Sequence, residues 1–506
     1  MIRLNGPNII AKEPVAADSI LINERKHISL SAGVKQKLHF TNNQNVTWNS
    51  NNPAVQIDTL GYLFAPDDKL GAQSQAVITA TPSEGNAVTC NVTIVKWQAN
   101  LSSLTIEATP SNIGNLITKD GSTLYVSSGP NLYSSTNGLQ NIQLVTNNFP
   151  TANWTPFLIK TDYSHYLRSG NALYETGRSF ANYQEIATNM PNGRATEHPG
   201  LKHSFAYDVD NRYIYAGEYT LDRNNMHSVY RGTVSPTGLK EWQKVYEFDS
   251  VNTNSVNSVL HIHVVTVDPY TGNVWIGTGD NDNESRLYYS KDHGASWELF
   301  AIGAQYFRIL SMWFTEDYVY WNTDSDSENQ VISRVKRTKM INNLTPRLES
   351  GQTKAGVRYF VYKSNTGLQE GKIYDNLDIA LNAENIVYAI DDPEYDYREV
   401  VAELTNGSHW YHMWVKDDKG EDLVIMSAAP EGKKRDQRAR LFGIKEKNDT
   451  TVDVQELFSF GEDLSNPYST HMQFEPGFQD DDGYIYFKGR STKNRIYKTK
   501  LHWKDR

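Results

Sequence analysis

The sequence predicts an all-β protein, a small N-terminal β-sandwich followed by a β-propeller. Three observations carry this expectation. Residues 261–300 and 306–337 adjoin and share one plan: polar starter, apolar strand, turn, aromatic strand, acidic loop, third strand. Self-similar β units of that length are the mark of propeller blades. Paired strands of the same kind recur through residues 98–506, whereas residues 15–97 have their own, different spacing of short strands and turns. Finally, 506 residues exceed one ordinary core, and 30 Tyr, 17 Phe and 11 Trp supply aromatic surface for more than one β-rich core.

Residues 1–14 are assigned as an N-terminal arm. MIRLNGPNIIAKEP lacks an apolar stretch of signal-peptide length, so the chain is expected to be made in a cytoplasm and to join a virion or extracellular assembly without an export signal.

Residues 15–97 alternate strands with turn signals: Ile20–Ile22, Ile28–Leu30, Lys37–Phe40, Val46–Trp48, Ala76–Ala80 and Cys90–Ile94. Trp48 is expected to fill a core, Asn52-Pro53 to turn, and Gly61 to supply a tight hairpin before Tyr62-Leu63-Phe64. The run Val46-Thr-Trp48-Asn-Ser50-Asn-Asn52-Pro53-Ala-Val55, followed by Asp58, Gly61, Ala65 and Ile78-Thr-Ala80-Thr81, resembles the bacterial Ig-like group 2 (Big2) module over the whole segment. The resemblance implies an Ig-like β-sandwich of the kind used as a spacer or adhesive unit on bacterial surface proteins and phage tail proteins, without catalytic duty.

Residues 98–506 are expected to form the propeller, with seven blades, six or eight being the alternatives. Its strand pairs include Thr123–Val126, His165–Leu167, Tyr213–Gly217, His412–Val415 with Leu423–Met426, and Asp378–Leu381 with Ile386–Ala389. The last unit lacks an outer strand, which Leu101–Ile106 would supply to close the ring. Residues 338–375 fit the repeat least well and read as an insertion.

Ser290-x-Asp292-x-Gly294-x-x-Trp297 resembles the Asp-box (BNR) repeat of sialidase-like propellers, with degenerate echoes at Ser134–Gln140 and Lys363–Gln369. The resemblance implies a structural hairpin far from the active face. Its Asp bonds backbone amides and its Trp packs between strands. Enzymatic sialidases carry an arginine triad opening in an Arg-Ile-Pro-like motif, and a Tyr–Glu pair. The early units here offer only Arg168, Arg178 and Arg194, so the likeness extends to the scaffold and not to that chemistry.

In a propeller, the start of each first strand and the loop after each second strand open on one face. His203, His261, His263, Arg308, His412 (with His409) and His471 stand at such starts, and Glu218, Asp280, Asp282, Asp324 and Asp326 follow second strands. Asp391-Asp392 and Arg178 are further rim candidates. Three chemistries are open. His261-x-His263 or His409-x-x-His412 suits a divalent metal, because alternate residues on a strand share a face. Arg308 suits the carboxylate of an acidic sugar with a His or Tyr as base, the logic of a polysaccharide lyase. The acidic loops suit a glycosidase. The plain alternative is a wet channel lined by polar residues. His263, Arg308 and His412 are the catalytic candidates; the other rim residues are assigned to ligand binding. Asp280-x-Asp282-x-Glu284 resembles a calcium loop but lacks the glycine and distal glutamate of an EF-hand. Calcium and a His-bound transition metal both stay open.

Composition narrows the partners. A formal net charge of −10 argues against nucleic acid, and the absence of a long apolar run argues against membrane insertion. Cys90 is the only cysteine, so no intrachain disulfide forms. Gly277-Thr-Gly279 opens no helix and cradles no phosphate, and there is no Gly-x-Ser-x-Gly elbow. The expected function is a phage virion or surface-associated protein whose propeller face recognises a cell-surface polysaccharide, its Ig-like module contacting neighbouring virion or surface proteins. The alternative is a lyase or glycoside hydrolase acting through the His/Arg ring.

Overall fold

The structure, a computed structural model, describes residues 19–503 except 65–72, 96–106, 109–113, 151–156, 188–203, 378–383, 405–408, 429–439, 460–472 and several shorter loop segments. Among the described residues the regular structure is β-strand, interrupted by short 3-10 turns such as Gln305–Phe307. The all-β expectation holds.

The N-terminal part consists of two four-stranded sheets. Ser19–Leu21, Lys35–His39, Tyr62–Phe64 and Gln56–Ile57 make one; His27–Ser31, Val88–Val95, Gln73–Pro82 and Val46–Ser50 make the other. Leu38 and Leu63 from the first meet Ile78, Ala80, Cys90 and Val92 from the second in one core, with Trp48 packed against it. Period-2 patterning puts these residues on inner faces. Gly61 has φ +81°, and a Cβ there would fall 2.5 Å from the Leu38 carbonyl oxygen and 3.0 Å from the Trp48 ring. Only glycine fits that hairpin. The Asn52 carboxamide oxygen accepts the Ala54 amide (2.9 Å) and Asp58 Oδ1 accepts those of Leu60 and Tyr62 (2.9 Å each), which fixes the two turns. Cys90 is buried and unbridged, a small core hydrophobe.

Among the described residues, 107–500 form seven further four-stranded antiparallel sheets. The first strands of the seven are Asn115–Asp120, Phe157–Lys160, Phe205–Asp208, His261–Val267, Ile309–Phe314, His409–Lys416 and Gln473–Gln479. Each packs beside the first strand of the next sheet, and that of the seventh packs beside that of the first. In six of the sheets the pairing of third and fourth strands slips at the same place, after Leu132, Leu173, Val229, Leu287, Ile332 and Leu441. A β-bulge is a local device with a cost of its own, so its recurrence at one position marks these sheets as copies of one unit. Adjacent sheets interlock closely: a Cβ on Gly277 would fall 2.4 Å from the Ile309 side chain of the next first strand.

The seventh sheet takes its outer strand from the other end of the chain. Tyr497 and Lys498 pair with Ala108 and Glu107. The expected closing segment, Leu101–Ile106, lies outside the described residues, and the strand that closes the sheet begins just after it.

The insertion is larger than its sequence suggested. The expected partner of Ile386–Ile390, Asp378–Leu381, lies outside the described residues. Ile386–Ile390 pairs with Arg358–Lys363 in a separate three-stranded sheet completed by Lys372–Tyr374. The outer strand of the fifth sheet, Glu399–Leu404, follows the insertion and pairs with Gln330–Lys336. Phe360, Tyr362 and Ile390 of the insertion share a core with Phe300 and Ile302, the edge strand of the fourth sheet, and with Tyr306 and Phe307.

Candidate functional site

Among the described residues, the fourth and fifth sheets bring together the largest group of the residues expected from the sequence. His261 and His263 open the strand His261–Val267, and a register shift after Ile262 leaves His263 as the extra residue. Their rings lie stacked with centroids 4.8 Å apart, and both side chains are about 1% exposed. Asp280 directly follows the second strand, whose last residue Gly279 pairs with His261. Asp280 Oδ1 therefore sits 3.0 Å from His261 Nε2 and 3.5 Å from His263 Nε2. Arg308 precedes the neighbouring first strand and Asp324 follows that sheet's second strand. Arg308 Nη2 lies 3.1 Å from Asp280 Oδ1 and 3.1 Å from Asp324 Oδ2, so one guanidinium bridges the two carboxylates. The Asp324 amide donates to the Arg308 carbonyl (2.8 Å), which holds the two loop ends together.

His263 Nδ1 is 2.9 Å from the Ile309 carbonyl oxygen. A carbonyl only accepts, so Nδ1 carries the hydrogen. Burial lowers the His263 pKa to about 4, so the ring is neutral near pH 7 and Nε2 keeps its lone pair on the Asp280 side. Burial alone raises the Asp280 carboxyl, but the hydrogen bond that His261 Nε2 donates to it outweighs this and holds the group below the usual carboxylate range. Asp280 is the most open member of the group, its side chain 30% exposed. Gly279 makes room for the imidazole: a Cβ there would fall 2.5 Å from His263 Cε1 and 3.0 Å from Arg308 Cγ.

Two tyrosines that the sequence pattern did not nominate complete the mouth. Tyr219, next to Glu218, stacks on His261 with centroids 4.1 Å apart at 20°. Burial, then Asp280 and Asp324, push its phenol far above the ordinary value, and Tyr411 is among its electrostatic neighbours. Tyr219 stands one residue past the strand-end position, beyond the reach of the strand-end pattern in the sequence.

Other nominated residues go elsewhere. The His412 ring packs against Trp313, 5.5 Å between centroids, and it is Tyr411 that lies near Tyr219. An irregular register between His409 and His412 underlies that choice of side. Glu218 folds back on its own loop, where Oε2 accepts the Ser228 amide (2.7 Å). Burial raises its carboxyl to about 7. The three acidic groups of the Asp280–Glu284 loop diverge. Glu284 caps the amides of Asp280 and Asn281 (3.0 Å each), and Asp282 accepts from Gln305 Nε2 (2.9 Å), its carboxyl raised by burial. They do not gather into a calcium loop. His203, His471 and Asp326 lie outside the described residues. Among the described residues, the His/Cys/Asp/Glu group whose donor atoms all lie within 4.8 Å of one another is His261, His263 and Asp280.

The insertion supports the mouth. Asp391, at φ 59°, accepts from Tyr306 Oη (2.6 Å) and Arg358 Nε (2.6 Å), and Arg398 Nη2 lies 3.3 Å away. The Arg398 guanidinium also lies 3.6 Å from the Tyr306 ring centroid. Burial raises the Asp391 carboxyl, yet the two arginines reverse this and keep it ionised. This clasp pins the Gln305–Phe307 turn that leads directly into Arg308. Of the remaining rim candidates, Asp392 pairs with Lys354 (2.8 Å) and Arg178 donates to the Asp162 carbonyl. Arg168 is fully buried and donates to the Gly217 carbonyl (2.8 Å) and Ser204 Oγ (3.2 Å); burial lowers its pKa to about 10.

In the Asp-box-like turn the side chains bond the turn's own backbone and the neighbouring sheet. Ser290 Oγ accepts the Gly294 amide (2.7 Å), Asp292 Oδ1 accepts the Ser296 amide (2.8 Å), and Trp297 Nε1 donates to Val245 of the preceding sheet (3.3 Å). Ser135 and Asn137 repeat the pattern in the first sheet: Ser135 Oγ accepts the Leu139 amide (3.1 Å) and Asn137 Oδ1 that of Asn141 (3.0 Å).

No protein-family model and no curated protein matches the chain. Among solved structures, similar ones include an ancestral GH74 enzyme (13% identity, TM-score 0.41, covering 78% of this chain and 46% of that one). A chain of a mitotic checkpoint complex (7%, 0.40, 80% and 96%) and a glucose dehydrogenase (8%, 0.35, 79% and 100%) are also similar. At this distance none bears on what the chain does.

Proposed function

We propose that this chain is a glycan-recognising component of a phage virion or comparable surface assembly, built from an Ig-like module and a seven-bladed propeller. The recurrent register shift, the ring of first strands and the closing strand Glu107–Ala108 support the propeller. The Big2-like residues around Trp48 and Gly61 support the spacer module.

One observation carries the binding reading, the row Asp280–Arg308–Asp324 beside the stacked Tyr219 and His261. Carboxylates and a guanidinium fixed in register suit the vicinal hydroxyls of a sugar, and the partly exposed Tyr219 ring suits its apolar side. Because both aspartates already neutralise Arg308, the row favours hydroxyl-rich neutral sugars over uronates. The test is binding of the purified chain to polysaccharides of candidate host cells. Asp280→Asn and Arg308→Ala are expected to weaken it at least tenfold. Equal binding by both variants refutes this placement of the site.

A second reading, cleavage of the bound polysaccharide, rests on the neutral His263 imidazole facing the ionised Asp280, a pairing suited to proton transfer. New reducing ends or unsaturated uronates, lost in His263→Gln, would establish it. The absence of both leaves recognition as the function.

A further inference from the structure

We infer that His261 Nε2, His263 Nε2 and Asp280 Oδ1 form a binding site for one divalent transition-metal ion. The inference stands on donor geometry and does not depend on the glycan reading.

The three donors converge from the start of one strand and the residue that follows its neighbour in the same sheet, and they lie within 4.8 Å of one another. Two ligands at the 2.0–2.1 Å of zinc–nitrogen and zinc–oxygen bonds in a tetrahedron stand about 3.3 Å apart. The His261 and His263 nitrogens lie 3.0 and 3.5 Å from the Asp280 oxygen, either side of that value.

The tautomer is set as well. Histidines that bind metals typically donate their other ring N–H to a backbone carbonyl or carboxylate, which orients the ring and aims the lone pair. His263 does so to Ile309 at 2.9 Å. Its Nε2 then presents a lone pair toward a carboxylate oxygen, an arrangement that a cation between them relieves. Stacking of Tyr219 on His261 and the missing Cβ at Gly279 hold both rings in place without filling the space between donors.

Charge balance accommodates the ion. Asp280 and Asp324 carry two negative charges against the single positive charge of Arg308. When Asp280 turns a lone pair to the metal, Arg308 keeps its 3.1 Å partner Asp324. Two imidazoles and one carboxylate suit zinc, nickel, copper or manganese better than calcium, which prefers six to eight oxygens. With three protein ligands and Asp280 partly exposed, a fourth position opens to solvent, as in catalytic sites and not in closed structural ones.

The test uses the full chain, stripped with chelator and then titrated calorimetrically with zinc, manganese or calcium chloride. One zinc or manganese ion per chain is expected, with calcium at least tenfold weaker. Asp280→Asn and His263→Gln should each weaken uptake by ten- to a hundredfold, while His412→Gln changes nothing. Cobalt substitution should give the visible absorption of a tetrahedral N/O site, lost in Asp280→Asn. If His263→Gln fails to fold, the half-open Asp280→Asn decides alone. No stoichiometric uptake, uptake unchanged in Asp280→Asn, or a preference for calcium overturns the assignment.

Discussion

Glu218 makes stability depend on pH with a predictable sign. Its carboxyl is about 3% exposed, and burial raises its pKa from 4.5 to about 7. The folded state therefore holds the proton more tightly than the unfolded chain does. Stability from this group is greatest below pH 4.5, falls between 4.5 and 7, and stays low above 7. A tenfold change in proton affinity corresponds to about 1.4 kcal/mol, so ionising Glu218 costs the fold about 3 kcal/mol at pH 8. Glu218→Gln keeps the shape and an oxygen for the Ser228 amide but cannot ionise. It is expected to be more stable than the parent at pH 8 by about that amount and to lose most of the advantage at pH 5. Denaturant melts of both proteins at the two pH values measure this. A difference that is the same at pH 5 and 8, or a variant less stable at pH 8, refutes the argument.

Gly279→Ala places a methyl 2.5 Å from His263 Cε1. It should cost about 1–3 kcal/mol and abolish polysaccharide binding, read by thermal melt and binding assay. Trp297→Ala removes the hydrogen bond to Val245 and the packing on Tyr246, 5.6 Å between centroids. Because the ring is only half-buried, about 2 kcal/mol is expected, with glycan binding unchanged. Tyr306→Phe leaves the partly buried Asp391 one donor short. It should cost about 1–3 kcal/mol and weaken binding as well, because the turn it anchors carries Arg308; a stability loss with unchanged binding would detach the clasp from the site.

Local pattern made the strands and most turns legible in the sequence. Gly61, Asn52 and the Ser290–Trp297 turn sit where their backbone chemistry demands. The mouth was half-legible: position at a strand start or end found His261, His263, Asp280, Arg308 and Asp324, because the repeat places such positions together. The same rule also named Glu218 and His412, whose side chains turn to the Ser228 amide and to the Trp313 ring. Position in a strand fixes where a backbone lies, but a one-residue register shift decides which side a side chain takes. At His409–His412 that shift favours Tyr411, and at Glu218 the carboxylate finds a backbone amide nearer than the mouth. Partners far apart in sequence, such as Tyr306 with Asp391 and Arg398, leave no local pattern.

A ring of copied sheets offers seven similar sets of strand ends, yet the observed cluster occupies one boundary, between the fourth and fifth sheets. The insertion, which interrupts the fifth sheet between its third and outer strands, packs at that boundary. It covers the edge of the fourth sheet with Phe360 and Tyr362 and locks Gln305–Phe307 through Asp391. The turn entering Arg308 is thus held by the clasp, while Arg308 itself is held by Asp280 and Asp324. A symmetric scaffold supplies equivalent positions, and an asymmetric insertion makes one of them rigid enough to keep an arginine, two aspartates and two histidines in fixed register. Rigid support of this kind is what a recognition or metal site needs, and it explains why the segment that fits the repeat least lies beside the residues with most chemistry.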